Sequence, residues 1–206
     1  TRIALSENPD CFSLEDLQSL ESDIIEATKL LAQAPLSSIA FGCTSGSFSK
    51  GVGYDRQLIK EMEKVSKGIP CTTTATAVIE ALKALNVKKV AVATPYEEAV
   101  YTLAKEFLED HHITVTNVTG LGITSDYEIS RQSIETIYNM AMESDTEDAE
   151  ALFISCTGLS AVHLIETLEE DLGKPVISSN QATFWHSLRI SGIHSKVEGF
   201  GKLFEL

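Results

Sequence analysis

Two stretches of this chain, Ile39-Ala40-Phe41-Gly42-Cys43-Thr44-Ser45-Gly46-Ser47 and Leu152-Phe153-Ile154-Ser155-Cys156-Thr157-Gly158-Leu159-Ser160, carry the same pattern. Each runs a short apolar strand into a cysteine and then into small hydroxyl and glycine residues. A repeat of this kind predicts two similarly folded halves, with each cysteine where a buried strand ends and a turn begins. A strand, a Gly/Ser/Thr turn and a helix together present unpaired backbone N–H groups and the positive end of a helix dipole, both of which favour an anion. The same field is expected to lower a thiol pKa and make the sulfur reactive. Two such turns facing one another would form a carboxylate pocket flanked by two thiols.

With 30 acidic against 16 basic residues, the net charge is −14. That balance repels nucleic acid and anionic membrane at long range, so neither is an expected partner. A pocket of oriented N–H groups still attracts a small anion, because surface charge is screened within about 8–10 Å. The chain's 206 residues can bury a substantial core. Apolar runs are too short to span a bilayer and no signal peptide is visible, which makes the cytoplasm the expected location. Cys11, Cys43, Cys71 and Cys156 are widely spread, with no CxxC pair and no Cys/His cluster. Neither a disulfide framework nor a metal is expected from that spacing. Gly120-Leu121-Gly122 lacks the third glycine and following helix of a dinucleotide-binding turn.

Strand and helix alternate along the chain. Thr1 to Ala4 reads as the end of a strand entered from upstream, so a preceding segment is expected. Helices are predicted at Ser13–Ala34, Tyr54–Lys67, Thr72–Asn86, Pro95–Asp110, Tyr127–Glu143, Leu159–Leu172 and Gln181–Ile190, from apolar period and from Pro and Gly punctuation. Strands are predicted at Leu36–Gly42, Val87–Thr94, Ile113–Val118, Ala151–Ser155 and Pro175–Ser178, with Ile69-Pro70-Cys71 an extended link. Continuous β-branched runs such as Val87–Thr94 mark parallel strands covered on both faces. The class is α/β, and ligands are expected at the carboxyl ends of the strands, where Cys43, Thr72, Tyr96, Cys156 and Asn180 fall. Glu143 to Glu150 reads as a solvated acidic turn.

The Cys43-Thr44-Ser45-Gly46-Ser47 turn resembles the aspartate/glutamate racemase superfamily, as do the Thr72-Thr73-Thr74-Ala75-Thr76-Ala77 helix start and the Thr94-Pro95-Tyr96 turn. The most specific part is the stretch from Ser155-Cys156-Thr157-Gly158 through Gly173-Lys174-Pro175 and Ser178-Ser179-Asn180-Gln181-Ala182 to Trp185-His186-Ser187-Leu188-Arg189. Within the superfamily the chain is most similar to the branch of maleate cis-trans isomerases, arylmalonate decarboxylases and ectoine-utilisation racemase-like proteins. The resemblance implies two pseudo-symmetric Rossmann-like halves with parallel sheets and the active site in the cleft between them. It divides the chain into residues 1–71, completed by 181–206, and residues 72–180. It also implies a first strand and an Asn-containing substrate loop, and no metal or organic cofactor. Cys43 and Cys156 take the positions of the two catalytic cysteines. Thr44, Ser45, Tyr96, Thr157 and Gly158 match carboxylate-holding positions. The decarboxylase branch has glycine where Cys43 stands and needs one proton donor, whereas a racemase or isomerase uses two.

The expected activity is a cofactor-independent isomerase or racemase of a small carboxylate or dicarboxylate, most like maleate isomerase. Removing a proton beside a carboxylate makes an enediolate-like anion, which preorganised donors stabilise by several kcal/mol. Two thiols on opposite faces allow one to abstract and the other to deliver. For a cis-alkene diacid, Cys43 would instead add to the double bond while Cys156 manages the proton. Sequence does not choose between these schemes. An arylmalonate-type decarboxylase and an inactive carboxylate-binding protein remain the alternatives. Asn180 reads equally as a site residue and as a helix N-cap. The histidines and Trp185 read as structural or solvated, Cys11 and Cys71 as packing residues, and a homo-oligomer is expected.

Overall fold

The computed structural model describes residues 1, 3–4 and 12–206. Cys11 and part of the expected strand end at Thr1–Ala4 fall outside them. The β-branched run becomes β3 (Lys89–Thr94), in which Val90, Ala91, Val92 and Ala93 are all buried. It is flanked by β4 (Thr114–Gly120) and β5 (Ala151–Ile154), and β5 is followed in the sheet by β6 (Val176–Ser178). Every pairing is parallel, with Val92 opposite Phe153 and Phe153 opposite Ile177. Because side chains alternate across a sheet, the strands supply two apolar layers. Ala91, Ala93, Leu152 and Ile154 join one core, and Val90, Val92, Phe153 and Ile177 the other. The fold is mixed α/β with parallel sheets, and no helix among the described residues is long and apolar enough to cross a membrane.

A second, smaller parallel sheet pairs β1 (Ile39–Phe41) with β2 (Cys71–Thr73). β2 thus takes Cys71 from the expected link and Thr72 and Thr73 from the start of the helix expected at Thr72–Asn86, a strand that three residues with no alternation cannot announce. The β1/β2 and β5/β6 pairs repeat each other bond for bond. Ile39 N–H donates to the Pro70 carbonyl at 2.9 Å and Leu152 N–H to the Pro175 carbonyl at 3.0 Å. The N–H of Cys71 reaches Glu63 at 3.3 Å, and that of Val176 reaches Glu169 at 3.0 Å. Those glutamates sit on equivalent helices, α4 (Tyr54–Val65) and α9 (Ile165–Leu172), each followed by a left-handed glycine, Gly68 (φ +89°) and Gly173 (φ +70°). The helices after β2 and β6 are α5 (Thr74–Ala84) and α10 (Ser179–Ile190). Each is capped by the last strand residue, Thr73 on the Thr76 N–H and Ser178 on the Gln181 N–H. Such caps contribute about 1 kcal/mol each. The two helices lie against each other, with the Thr183 hydroxyl donating to that of Thr74 at 3.0 Å.

Other differences from the periodicity are local. The first predicted helix divides at Leu20 into α1 (Leu14–Ser19) and α2 (Glu21–Leu31), with a Ser13/Asp16 capping box at its start. The turn after Cys43 closes into a short helix, α3 (Thr44–Phe48), although Thr, Ser and Gly are weak helix formers. Between β3 and β4 lies α6 (Glu98–Asp110). The single helix expected at Tyr127–Glu143 is instead α7 (Asp126–Ile129) and α8 (Ile134–Ser144), separated because Ser133 caps α8. A 3₁₀ turn, Val162–Leu164, opens α9, so the helix starts later than Leu159.

Candidate active site

Strand parity aims both cysteines. Ile39, Phe41 and Cys43 alternate onto one face of the first sheet, and Leu152, Ile154 and Cys156 do so in the second. Each thiol then accepts a hydrogen bond from a glycine N–H in its own turn. Gly46 reaches Cys43 at 3.3 Å, and Gly158 reaches Cys156 at 3.2 Å. Both glycines are packed so closely that a Cβ would intrude. At Gly46 it would lie 3.0 Å from the Cys43 sulfur and 3.1 Å from the Phe41 ring, and at Gly158 3.0 Å from Ile129 and 3.4 Å from the Cys156 sulfur. The turns also touch, since the Thr157 hydroxyl donates to the Gly42 carbonyl at 3.2 Å.

Both sulfurs open onto one cavity of about 330 Å³. Ser45, Tyr96, Asp126, Thr157 and Gly158 share its lining, and an apolar wall comes from Ile24 and Leu31 of α2 with Phe12, Leu20 and Met62. Tyr96 is 3% exposed and lies between the thiols. Its hydroxyl donates toward the Cys156 sulfur and interacts with the Ser45 hydroxyl, which itself stands 3.9 Å from the Cys43 sulfur. Phe12 meets the Tyr96 ring edge-on, with centroids 6.5 Å apart. A polar path, Cys43–Ser45–Tyr96–Cys156, thus runs along one side of the chamber. The N–H groups of Thr44 and Ser45 belong to the first turn of α3 and have no acceptor within that helix.

The expected lowering of the thiol pKa values is overturned. Burial pushes Cys156 up to about 12, outweighing the opposing Tyr96 hydroxyl and Gly158 N–H, and the neighbouring Cys43 and Asp126 raise it further. Cys43, although partly accessible through the cavity it lines, is also raised, first by burial and last by Asp126, against the pull of Gly46 and Ser45. Loss of hydration at the sulfur exceeds the stabilisation that a few N–H dipoles return. Tyr96 is held well above its ordinary value, by burial and then by the two cysteines. Both shifts favour the protonated thiol, so thiolate is the minor form of each at pH 7.

Of the eight residues singled out in the sequence, Cys43, Ser45, Tyr96, Cys156, Thr157 and Gly158 line this cavity. Thr44 and Asn180 do not. The buried Thr44 hydroxyl donates to Ser179 at 2.9 Å, tying α3 to α10. Asn180 is exposed, and its amide donates to the Thr157 carbonyl at 3.0 Å, bracing the second turn from outside. Nor is Asn180 an N-cap, because Ser178 holds that position in a capping box with Gln181. Thr72 lies within β2 rather than at its tip, 2.8 Å from His186 Nδ1. Cys71 packs beside Ser66, with burial raising its pKa to about 11. Sequence reasoning did not single out Asp126, which lines the cavity. The only available signal was its place in the loop after a parallel strand.

The chain is similar to known proteins over nearly its whole length. The arylmalonate decarboxylase family profile matches residues 10–204. Arylmalonate decarboxylase of Bordetella bronchiseptica is 30% identical over 194 residues, covering 93% of this chain and 80% of the relative. A liganded glycine-to-cysteine, cysteine-to-serine double mutant of arylmalonate decarboxylase superposes with a TM-score of 0.90 at 29% identity, covering 96% of this chain and 85% of that one. A cysteine-to-serine mutant of Nocardia farcinica maleate cis-trans isomerase, holding a covalently bound succinylcysteine intermediate, shares the fold. Its TM-score is 0.91 at 23% identity, over 95% of this chain and 82% of that one. With a family match over nearly its whole length, and a relative at 30% identity, the chain belongs to the arylmalonate decarboxylase family.

Proposed function

We propose that this protein is a cofactor-independent isomerase or racemase of a small carboxylate, of the maleate isomerase kind, with Cys43 and Cys156 as its catalytic pair. The observation that carries this reading is that two thiols from equivalent turns open onto one cavity, joined through Ser45 and Tyr96. A substrate carboxylate would be held by N–H groups of the two cysteine turns and by the Tyr96 hydroxyl. Those donors would also stabilise an enediolate as its charge develops.

Two balanced schemes use this scaffold. In racemisation, one sulfur acts as thiolate and takes the proton beside the carboxylate, while the other, as thiol, returns a proton to the opposite face. In cis-trans isomerisation, the Cys43 thiolate forms a C–S bond to one alkene carbon and the Cys156 thiol protonates the neighbouring carbon. Rotation about the new single bond follows. The Cys156 thiolate then withdraws the proton, the C–S bond breaks, and the alkene and Cys43 thiolate are restored. The covalent succinylcysteine named for the Nocardia farcinica enzyme supports the second scheme.

A decarboxylase is the second reading, favoured by the 30% identity to arylmalonate decarboxylase. There the C–C bond to CO2 breaks, its electrons form the enediolate, and one thiol, Cys156, supplies the proton. The deciding experiment is NMR in D2O with maleate, acidic amino acids and a disubstituted malonate, on wild type, Cys43→Ala and Cys156→Ala. Isomerisation or exchange that both substitutions abolish supports the proposal. Full turnover by either variant overturns it. Release of CO2 that survives Cys43→Ala selects the decarboxylase, and binding without turnover of any substrate selects a carboxylate-binding protein.

A further inference from the structure

Two consecutive residues at the start of α10 reach the two cysteine turns. Ser179 is fully buried and accepts a hydrogen bond from the Thr44 hydroxyl at 2.9 Å, in the turn that carries Cys43. The Asn180 amide donates at 3.0 Å to the carbonyl of Thr157, the residue after Cys156. One peptide unit separates the two contacts, so the helix backbone fixes the spacing at which both turns are held. The Cys43 turn is also held from its other side. The Thr74 hydroxyl donates to the Phe41 carbonyl at 3.3 Å, and the Thr183 hydroxyl links Thr74, at 3.0 Å, to the Ser179 carbonyl, at 2.7 Å. Phe41 and Thr44 flank Gly42 and Cys43, so the segment bearing the sulfur is fixed at both ends by α5 and α10. A capping box of Ser178 and Gln181 fixes the helix start itself.

We propose that the start of α10 is a clamp that sets the separation of the two sulfurs, with Ser179 and Asn180 as its positioning residues. Neither side chain lines the cavity, so each acts through the turn that it holds. The inference rests on the two-thiol reading and adds what keeps the pair in register. Such register matters because a group that takes or gives a proton loses rate steeply when it is misplaced by a fraction of a bond length. The clamp works only while both contacts hold. Freeing either turn loses the fixed spacing, and freeing the second then adds little, which is the coupling expected of residues that act as one unit. The direct bond from Thr157 to Gly42 persists in either case and limits the loss.

The test bridges the two thiols with 1,3-dibromoacetone, a short bifunctional alkylator, in wild type, Thr44→Val, Asn180→Ala and the double variant. Thr44→Val removes the donor at nearly equal size, and Asn180 is exposed, so both variants are expected to fold. Each thiolate displaces one bromide ion, and a bridge consists of a C–S bond to each sulfur. Peptide mapping by mass spectrometry resolves it from single alkylation and from the other cysteines. The ratio of bridged to singly alkylated protein reads the spacing, which a merely structural role in a folded variant would not move. Wild type is expected to bridge, and each single substitution to lower the ratio about two- to tenfold, the effect that one neutral hydrogen bond allows. The double variant should fall no further than the worse single one, and Thr44→Ser, which keeps the hydroxyl, should restore the wild-type ratio. Unchanged bridging in both single variants, or losses that multiply in the double one, would overturn the clamp and leave the two-thiol reading standing. No bridge in the wild type would overturn both, so the two failures are distinguishable.

Discussion

The two cysteine turns start from nearly the same sequence and finish in different environments. Cys43 follows β1, caps α3, and stays partly accessible beside the Ser45 hydroxyl. Cys156 follows β5 in a turn that does not close into a helix, is 4% exposed, and accepts from the Tyr96 hydroxyl. One backbone repeat thus delivers two sulfurs at equivalent positions, while the packing around each decides how readily it ionises. The more open thiol suits attack on a substrate carbon. The more deeply held one suits a proton that must be given and taken back. Unequal surroundings of this kind are what a pair of acid/base groups requires when each takes a separate role.

The largest test of that inequality is alkaline stability. Burial pushes the folded Cys156 thiol up to about 12 from an ordinary 9.0, so the folded state favours its neutral form. A group whose pKa is raised by folding stabilises fully below its unfolded value and loses that contribution as pH climbs through the folded one. Stability should therefore fall between about pH 9 and pH 12, by an amount on the order of a few kcal/mol. Cys156→Ser should flatten this limb in melting curves recorded across that window, and Cys43→Ser should flatten it less. Cys71, raised to about 11, contributes to the wild type and both variants alike. Equal flattening by the two substitutions would break the proposed difference in burial.

Next in size are the glycines that donate to the sulfurs. At Gly46 a new methyl would press on the Phe41 ring at 3.1 Å and the Cys43 sulfur at 3.0 Å. At Gly158 it would press tightly on one neighbour only, the buried Ile129 at 3.0 Å, with the Cys156 sulfur at 3.4 Å. Gly46→Ala should cost about 1–3 kcal/mol by overpacking and Gly158→Ala less. Displacing either thiol should lower turnover by about tenfold to a hundredfold. Denaturant unfolding and steady-state kinetics on both variants would separate the two effects. A larger stability loss at Gly158 would show that the second turn is the stiffer one.

Much of this organisation was legible before any coordinates, because the information is local. The repeated strand-to-cysteine pattern, the β-branched run at β3 and the glycines closing α4 and α9 each act through their own neighbours. What the sequence hid depends on partners far along the chain. β2 exists because Ile39–Phe41 is there to pair with it, and no property of Cys71-Thr72-Thr73 alone requires a strand. The expected activation of the thiols failed for a related reason. Dipoles in a turn can be read from Gly and Ser, but the protein that Tyr96, Phe12 and α2 pile around the sulfurs cannot, and desolvation won. Thr44 and Asn180 looked like Ser45 and Thr157 in sequence, yet their polar atoms are engaged by Ser179 and the Thr157 carbonyl.

The smallest effect expected concerns the link between the turns. The Thr157 hydroxyl donates to the Gly42 carbonyl at 3.2 Å, while the Thr157 carbonyl accepts from Asn180 at 3.0 Å, so one residue is pinned from both sides. Thr157→Val keeps the shape and removes the first bond, leaving the Gly42 carbonyl without that donor. A neutral hydrogen bond is worth about 0.5–1.5 kcal/mol net, and partial exposure of Thr157 puts this one at the lower end. Stability should change by no more than that range in denaturant unfolding. If the bond holds the two thiols in register, turnover should nonetheless fall several-fold, and adding Asn180→Ala should lower it by more than the two single losses combined. Simple additivity would mean that the turns are positioned independently, each by its own strand.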